Sequence, residues 1–269
     1  FAGGLATLWI ALASPLDALA GLSLQAHMLQ HLLLTMVAPP LLLLAAPFAP
    51  LLRGLPRGIR RDALGPFLAS PALQRLARRL VHPVTGWLAL AVATWLWHLP
   101  AAYELALSSP AWHALEHGCF FVSAVLFWWP VIEPWPWRSP WPRAAMIPYL
   151  VLADLQNTAF SALFAFSDRV FYPSYADLSA GGGAAALADQ AAAGALMWVA
   201  SSLGFLLPVG FVVREILEPE VLRRGRRRAP RAAPPPRSRA PFDALRLRGL
   251  GPLLDSLRFR RALQAACAV

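Results

Sequence analysis

The fold is decided by the stretch LQAHMLQHLLLTMVAPPLLLLAA at residues 24–46, which contains no Asp, Glu, Lys or Arg. A helix rises 1.5 Å per residue, so about 20 apolar residues cross the roughly 30 Å hydrocarbon core of a bilayer. The stretch therefore predicts a membrane-spanning helix. It also carries two histidines, His27 and His31, in its first turns.

The whole chain has the composition of a membrane protein. Of its 269 residues, 58% are hydrophobic and only 14% are charged, and the mean hydropathy is +0.51, which excludes an ordinary soluble domain. Four further stretches are long enough to span a bilayer, at residues 84–103, 112–131, 144–166 and 187–213. With a partial helix at residues 1–13 they predict an all-α, polytopic membrane helix bundle of six spans, or seven if residues precede Phe1.

The charges are distributed in a way that predicts topology. The 24 basic residues are all arginines, and all but Arg169 lie in residues 53–79, residues 133–143 and the segment from Arg214 onward. By the positive-inside rule these segments face the cytoplasm, and residues 14–23, 104–111 and 167–186 face the other side. Arginines placed beside spans indicate contact with lipid headgroups and argue against nucleic acid as a partner. Residues 1–214 are thus expected to form the bundle, and residues 215–269 an Arg/Pro-rich cytoplasmic tail with an interfacial helix.

Five of the six histidines fall near the outer ends of predicted spans. His27 and His31 are spaced i, i+4 and share one helix face, and so do His113 and His117, with Glu116 beside them. Ionisable residues in an apolar zone are costly unless they have partners, so two such pairs at matching depth favour metal or proton chemistry over simple helix capping. Glu116 is interpreted as a structural or supporting acceptor that holds an imidazole in one tautomer.

The type of ligand indicates the metal. Imidazole binds copper, zinc and iron, and the thioethers of Met28 and Met197 favour Cu(I), although both methionines are also typical of core packing. His98 lies near the outer end of the third predicted span, where it either joins the metal site or bonds a backbone carbonyl. The ligation should weaken as the pH falls through the imidazole pKa, because only the neutral ring binds metal.

Three other polar residues are predicted to be supporting groups. Asp154 lies near the middle of its predicted span, where it serves a proton or ion path or locks two helices together. Asp189 and Gln190 open the last predicted helix, and the carboxylate there suits a helix N-terminus.

Two other uses of paired histidines fit the sequence poorly. The segment HALEH at residues 113–117 matches the H-x-x-E-H pattern of zinc peptidases, but the chain offers no convincing third zinc ligand. Two haems would need histidine pairs at separate depths on opposite helices, and the pairs here share one depth.

Several motifs together resemble the multi-span CtaG family of cytochrome c oxidase assembly factors. The resemblance covers residues 1–214 and rests on HMLQH at 27–31, APPLL at 38–42, WHLP at 97–100, HALEH at 113–117, FWWP at 127–130, YPSY at 172–175, DQ at 189–190, Gly194 and MW at 197–198.

The resemblance implies a multi-pass protein of the bacterial plasma membrane that assembles caa-type oxidase and delivers copper to the oxidase copper centre, without bond-making chemistry of its own. It implies oxidase subunits as partners, with a periplasmic copper chaperone as a further candidate. The positions that would bind copper are then His27, His31, His98, His113 and His117, with Met28 and Met197 as soft partners. Three alternatives stay open: a copper transporter or permease, a haem or zinc enzyme, and an assembly scaffold that binds no metal.

Overall fold

Helices make up the structure, a computed structural model that describes residues 1–134, 136, 139–178 and 182–228; within these residues there is no β-strand. The all-α prediction is confirmed. The helices are α1 (Ala2–Ala13), α2 (Pro15–Ala20), α3 (Leu24–Leu44), α4 (Phe48–Gly54), α5 (Gly65–Ala69, after a π-helical turn at Ile59–Leu64), α6 (Pro71–Leu80), α7 (Pro83–Trp97), α8 (Pro100–Ser108), α9 (Pro110–Ile132), α10 (Met146–Ala165, after a 3₁₀ turn at Arg143–Ala145), α11 (Pro173–Leu178) and α12 (Gly182–Arg228).

Proline residues set many of the helix starts. α2, α6, α7, α8 and α9 all carry a proline in the first turn, where the missing N–H is not needed and the fixed φ suits the helix. Pro100 also ends α7, because Leu99 before it takes an extended conformation. The predicted stretch 84–103 is therefore wrong at its end, where it is two helices divided at His98 and Leu99.

Six membrane spans are not confirmed. Three helices are long and apolar enough to cross a bilayer, namely Leu24–Leu44, Pro110–Ile132 and Gly182–Leu217. A fourth span arises if α6 and α7, which meet at a bend of 60°, count as one. α1, with 12 residues, is too short to cross a bilayer. α10 is long enough, but polar residues such as Asp154 and Asn157 lower its mean hydropathy, and it is not among the spanning helices.

The predicted tail begins inside a helix. α12 continues past residue 214 to Arg228, and residues 229–269, which include the predicted interfacial helix, lie outside the described residues.

Two prolines inside α3 explain how this helix meets α9. Pro39 has no N–H to donate to the carbonyl of Thr35, and α3 relaxes into a π-helical turn at Leu33–Val37 just before it. The freed Thr35 carbonyl accepts a hydrogen bond from Trp128 Nε1 of α9 at 2.8 Å. A helix defect in α3 thus becomes a fixed contact with α9.

Glycines allow two other helix pairs to approach closely. Gly86 of α7 lies against the carbonyl of Leu126 in α9, where a Cβ would stand 2.4 Å from the oxygen. Gly194 of α12 lies against α10, where a Cβ would stand 2.6 Å from the Ala165 nitrogen. These contacts hold α7 against α9 and α12 against α10.

The buried side chains form two main clusters. One cluster surrounds Phe127, Trp128, Tyr149 and Phe205. The other contains Met28, Tyr103, Phe160, Phe164, Tyr172, Tyr175 and Met197, at the end of the bundle that carries the histidines, which we call the histidine end. Many large apolar side chains, among them Val92, Val199 and Phe211, point outward, as expected of lipid-facing helices.

Asp189 joins the last helix to α3 at the histidine end. The expectation that it opens the last helix is wrong, because α12 begins at Gly182. Its carboxylate instead accepts hydrogen bonds from the backbone N–H of Leu24 (2.6 Å) and Gln25 (3.3 Å) and from Ser23 Oγ (2.9 Å). Asp189 therefore caps the N-terminus of α3, one turn before the first histidine.

We expect Gly194→Ala to lower the free energy of unfolding by about 1–3 kcal/mol, because its methyl group has no room against α10. Gly210→Ala on the same helix is the matched control, since a Cβ there meets nothing within 4 Å. Unfolding in mixed detergent micelles measures both. Equal stability of the two variants would contradict the close α10–α12 contact.

We expect Asp189→Ala to lower the free energy of unfolding by about 1–2 kcal/mol, because the backbone N–H groups of Leu24 and Gln25 lose their acceptor. Hydrogen exchange at Leu24 and Gln25 should quicken as well. Asp168→Ala is the control, since that side chain is 94% exposed. Unchanged protection of these two amides would show that the cap does not hold α3.

Candidate metal centre

Four buried residues from α3 and α9 bring their ligand atoms together at the histidine end. One nitrogen each of His27, His31 and His117 and one oxygen of Glu116 all lie within 4.8 Å of one another. We call these four residues the imidazole–carboxylate cluster. On α3 the i, i+4 spacing places both imidazoles on the face that meets α9, and the neighbouring residues Glu116 and His117 supply the other two ligand atoms from α9.

The imidazole nitrogens and carboxylate oxygens of the cluster lie further apart than hydrogen-bonded atoms. His27 Nε2 lies 3.6 Å from Glu116 Oε2, and His31 Nε2 lies 3.6 Å from Glu116 Oε1. Several buried atoms here have no hydrogen-bond partner among the described residues: His27 Nε2, His31 Nδ1 and Nε2, both oxygens of Glu116, and Nε2 of His113 and His117. Buried polar atoms without partners are costly, and their convergence on one point is the arrangement that a metal ion requires.

The rings confirm that the two histidine pairs meet. Ring centroids are 4.5 Å apart for His27 and His31, 4.2 Å for His113 and His117, and 5.5 Å for His31 and His117. His113 lies 5.1 Å from His27 and stands at the edge of the cluster. It lines a groove of about 530 Å³ together with His117 and Asp17. The groove gives the cluster an opening toward the surface.

Glu116 lies among the imidazoles. The sequence predicts a supporting acceptor at this position, and in the structure one carboxylate oxygen is among the converging ligand atoms. Glu116 is also fully buried, at 0% exposure. A carboxylate in that position supplies negative charge directly to whatever cation the imidazoles bind.

His98 and the two methionines lie beside the cluster. His98 ends α7, its ring is 5.7 Å from His31, and its Nε2 is 3.3 Å from Met28 Sδ. Met197 belongs to the same buried group of side chains as Met28. A cavity of about 60 Å³ has Met28, His31, His98 and Met197 among its lining residues. The predicted copper ligands therefore lie in one region, divided between the cluster and this cavity.

Two tyrosines orient His27, and sequence reasoning missed both. Tyr103 Oη lies 2.7 Å from His27 Nδ1 and 3.2 Å from Tyr175 Oη, which donates to the carbonyl of Ala20 at 2.8 Å. Burial raises the pKa of Tyr175, so its phenol stays protonated and donates. With all of these contacts acting as hydrogen bonds, Tyr175 donates to the Ala20 carbonyl, Tyr103 donates to Tyr175, and His27 Nδ1–H donates to Tyr103. His27 Nε2 is then left as a lone pair facing Glu116.

Tyr172 completes the support around these residues. Its ring stacks on Tyr103 at 3.9 Å, and its hydroxyl donates to the carbonyl of His98 at 2.9 Å. The motif YPSY at residues 172–175 was the available signal, but nothing in its spacing shows that both tyrosines face the histidines.

The two remaining predicted polar residues join a loop or a helix to its neighbour. Gln190 binds the loop before α11, accepting from Phe171 N (2.8 Å) and donating to the carbonyl of Arg169 (2.9 Å). Asp154 accepts from Ser202 Oγ at 2.6 Å and so joins α10 to α12, which favours the helix-locking interpretation over an ion path. Neither belongs to the group of converging ligand atoms.

Comparison with known proteins identifies one family. The family model described as cytochrome c oxidase caa3 assembly factor (Caa3_CtaG) matches residues 1–218. No curated protein and no solved structure gives a significant match. The match covers most of the chain, including both histidine pairs, all of α1 to α11 and the apolar part of α12. The chain therefore belongs to the family of cytochrome c oxidase caa3 assembly factors.

Proposed function

We propose that the protein binds Cu(I) at the imidazole–carboxylate cluster and delivers it to the copper centre of cytochrome c oxidase during assembly. The observation that carries this proposal is the convergence of buried ligand atoms that lack hydrogen-bond partners among the described residues, in a member of an oxidase assembly family. Copper is here the cargo, and the protein makes and breaks no covalent bond of a substrate.

The charge of the cluster suits a monovalent ion best. One carboxylate, that of Glu116, faces neutral imidazoles, so it compensates the charge of Cu(I) fully and that of a divalent ion in part. Imidazole is a good ligand for copper, and the thioethers of Met28 and Met197 nearby extend the soft character of the region. The residues proposed to bind copper are His27, His31, His98, His113, His117, Met28 and Met197, and the Glu116 carboxylate joins them in the cluster.

The proposed delivery proceeds by ligand exchange through the groove. His113 and His117 line it, and Asp17 adds a negative charge that attracts a cation. A histidine of the recipient replaces His117 first, and the remaining ligands are then replaced one at a time. Transfer of this kind needs an opening on one side of the site and rigid support on the other, and the Tyr103–Tyr175 chain supplies that support.

We further propose an orientation in the bacterial plasma membrane. Six spans, with the arginine-rich loops and the segment 215–269 in the cytoplasm, place Asp17 and the histidine end at the outer face. The partners are then oxidase subunits that carry copper, a periplasmic copper chaperone as donor, and anionic lipid at the arginines.

We expect the double variants His27→Ala/His31→Ala and His113→Ala/His117→Ala each to lose at least about one Cu(I) per chain, because both remove ligands from the same cluster. The measurement is metal content by mass spectrometry after anaerobic loading. His82→Asn is the control, since His82 lies in an arginine-rich segment and its ring caps α7, a role that Asn also fills. Copper content equal to that of the unmodified protein in both double variants would overturn the copper site.

We expect Tyr103→Phe to weaken Cu(I) binding roughly 10- to 100-fold, because His27 loses the partner that fixes its tautomer while the stacked ring is kept. Competition with a coloured Cu(I) chelator measures the affinity. Tyr149→Phe is the matched control, since it removes a buried hydroxyl bonded to the Phe127 carbonyl in the other cluster of side chains. A similar affinity in both variants would show that Tyr103 does not position a ligand.

A further inference from the structure

Met28 and His98 form a second pair of ligand atoms that the cluster does not include. We propose that Met28 Sδ and His98 Nε2 bind a second Cu(I) ion, at a site of their own beside the imidazole–carboxylate cluster. The inference rests on the proposed function, because it adds a second binding site for the same cargo. We call the two copper sites, this pair and the imidazole–carboxylate cluster, the two stations. Both side chains are buried, and the two atoms lie 3.3 Å apart.

The contact between these atoms is not a hydrogen bond. His98 Nδ1 lies 2.8 Å from the carbonyl of Thr94, and a carbonyl can only accept, so Nδ1 carries the proton of the neutral ring. Nε2 is then a lone pair, and the thioether of Met28 has no proton to offer either. Two lone pairs in contact repel each other in the absence of a cation between them.

The distance suits one ion bound by both atoms. With the lengths of zinc bonds, about 2.0 Å to imidazole nitrogen and about 2.3 Å to sulfur, a tetrahedral angle at the ion spans roughly 3.5 Å, so the two atoms need to separate by only about 0.2 Å. Neither side chain has to move far to reach that geometry. Met197, a second buried thioether, lines the cavity next to the pair and is the candidate for a third ligand.

The surroundings select a soft monovalent ion. The His98 ring is enclosed by aromatic rings at centroid distances of 4.8 Å (Phe160), 5.7 Å (Phe120) and 5.9 Å (Phe164), and the pair itself contains no carboxylate. A divalent cation between two neutral ligands in such a shell would have no compensating charge. Imidazole and thioether together are typical ligands for Cu(I). Zn(II) is therefore expected at the carboxylate cluster alone.

His31 connects the two stations. Its Nε2 faces Glu116 in the cluster, and its ring also lines the cavity and stands 5.7 Å from His98. Both of its ring nitrogens lack hydrogen-bond partners among the described residues. An ion passes from one station to the other by exchanging ligands at His31, without crossing open water.

The test compares the full chain with Met28→Leu, and with Met36→Leu as the matched control on the same helix, since Met36 lines the same cavity and packs against Gly204. Cu(I) and Zn(II) stoichiometries are measured by mass spectrometry, and X-ray absorption reports sulfur bound to copper. We expect about two Cu(I) and about one Zn(II) for the unmodified chain, and about one Cu(I), about one Zn(II) and no copper–sulfur signal for Met28→Leu.

Two results separate this inference from the proposed function. If Met28→Leu binds as much Cu(I) as the unmodified chain while the His113→Ala/His117→Ala variant loses copper, the second station is overturned and the cluster stands. If the unmodified chain binds no Cu(I), both are overturned. Copper bound with a sulfur signal in the His113→Ala/His117→Ala variant, and absent when Met28→Leu is added, supports the second station independently of the cluster.

Discussion

The buried carboxylate of Glu116 imposes the constraint on which the rest of the histidine end depends. A carboxyl group withdrawn from solvent needs a proton, hydrogen-bond donors or a cation. Among the described residues neither oxygen of Glu116 has a hydrogen-bond partner, and imidazole nitrogens of His27 and His31 lie 3.6 Å away. Glu116 stands on α9 and the two nearest imidazoles stand on α3, so the distance between these helices sets the geometry of the cluster. Further along both helices, the hydrogen bond from Trp128 to the Thr35 carbonyl fixes that distance. The carbonyl is available because Pro39 has no N–H to donate to it.

The polar residues of the histidine end fall into two groups with different energetics. Asp189, Gln190 and the tyrosines are satisfied by backbone groups or by one another, and they fix the ends of helices and the rotation of rings. The cluster atoms are left without such partners among the described residues. A fold that merely needed buried histidines for packing would satisfy them in the same way as Asp189. The contrast indicates that one set of residues holds the helices in place and another set keeps its ligand atoms available for a metal ion.

The features that could be predicted from the sequence are those that depend on local spacing. The i, i+4 pairs predicted which imidazoles share a face, and hydropathy predicted every long helix, because both signals repeat along one helix. Sequence reasoning missed contacts between distant segments: Tyr103 and Tyr175 meet across the bundle, and Asp189 caps α3 rather than its own helix. For Glu116, spacing places the carboxylate on a face but does not tell whether it stands within the ligand group or behind it. The number of spans depends on bends such as that between α6 and α7. Hydropathy is an average over a stretch of sequence and does not reveal such a bend.

The position of the carboxylate bears on how the proposed cargo would move. An ion held by Glu116 is electrically compensated and therefore stable, whereas an ion between Met28 and His98 has neutral ligands alone. Of two stations joined by one shared imidazole, the compensated one is expected to fill first and to bind more tightly. The groove lined by His113 and His117 opens from that tighter station, so release toward the groove requires a recipient that offers both ligands and negative charge. A copper centre under assembly that provides histidines together with a carboxylate meets this requirement, and a single incoming imidazole does not.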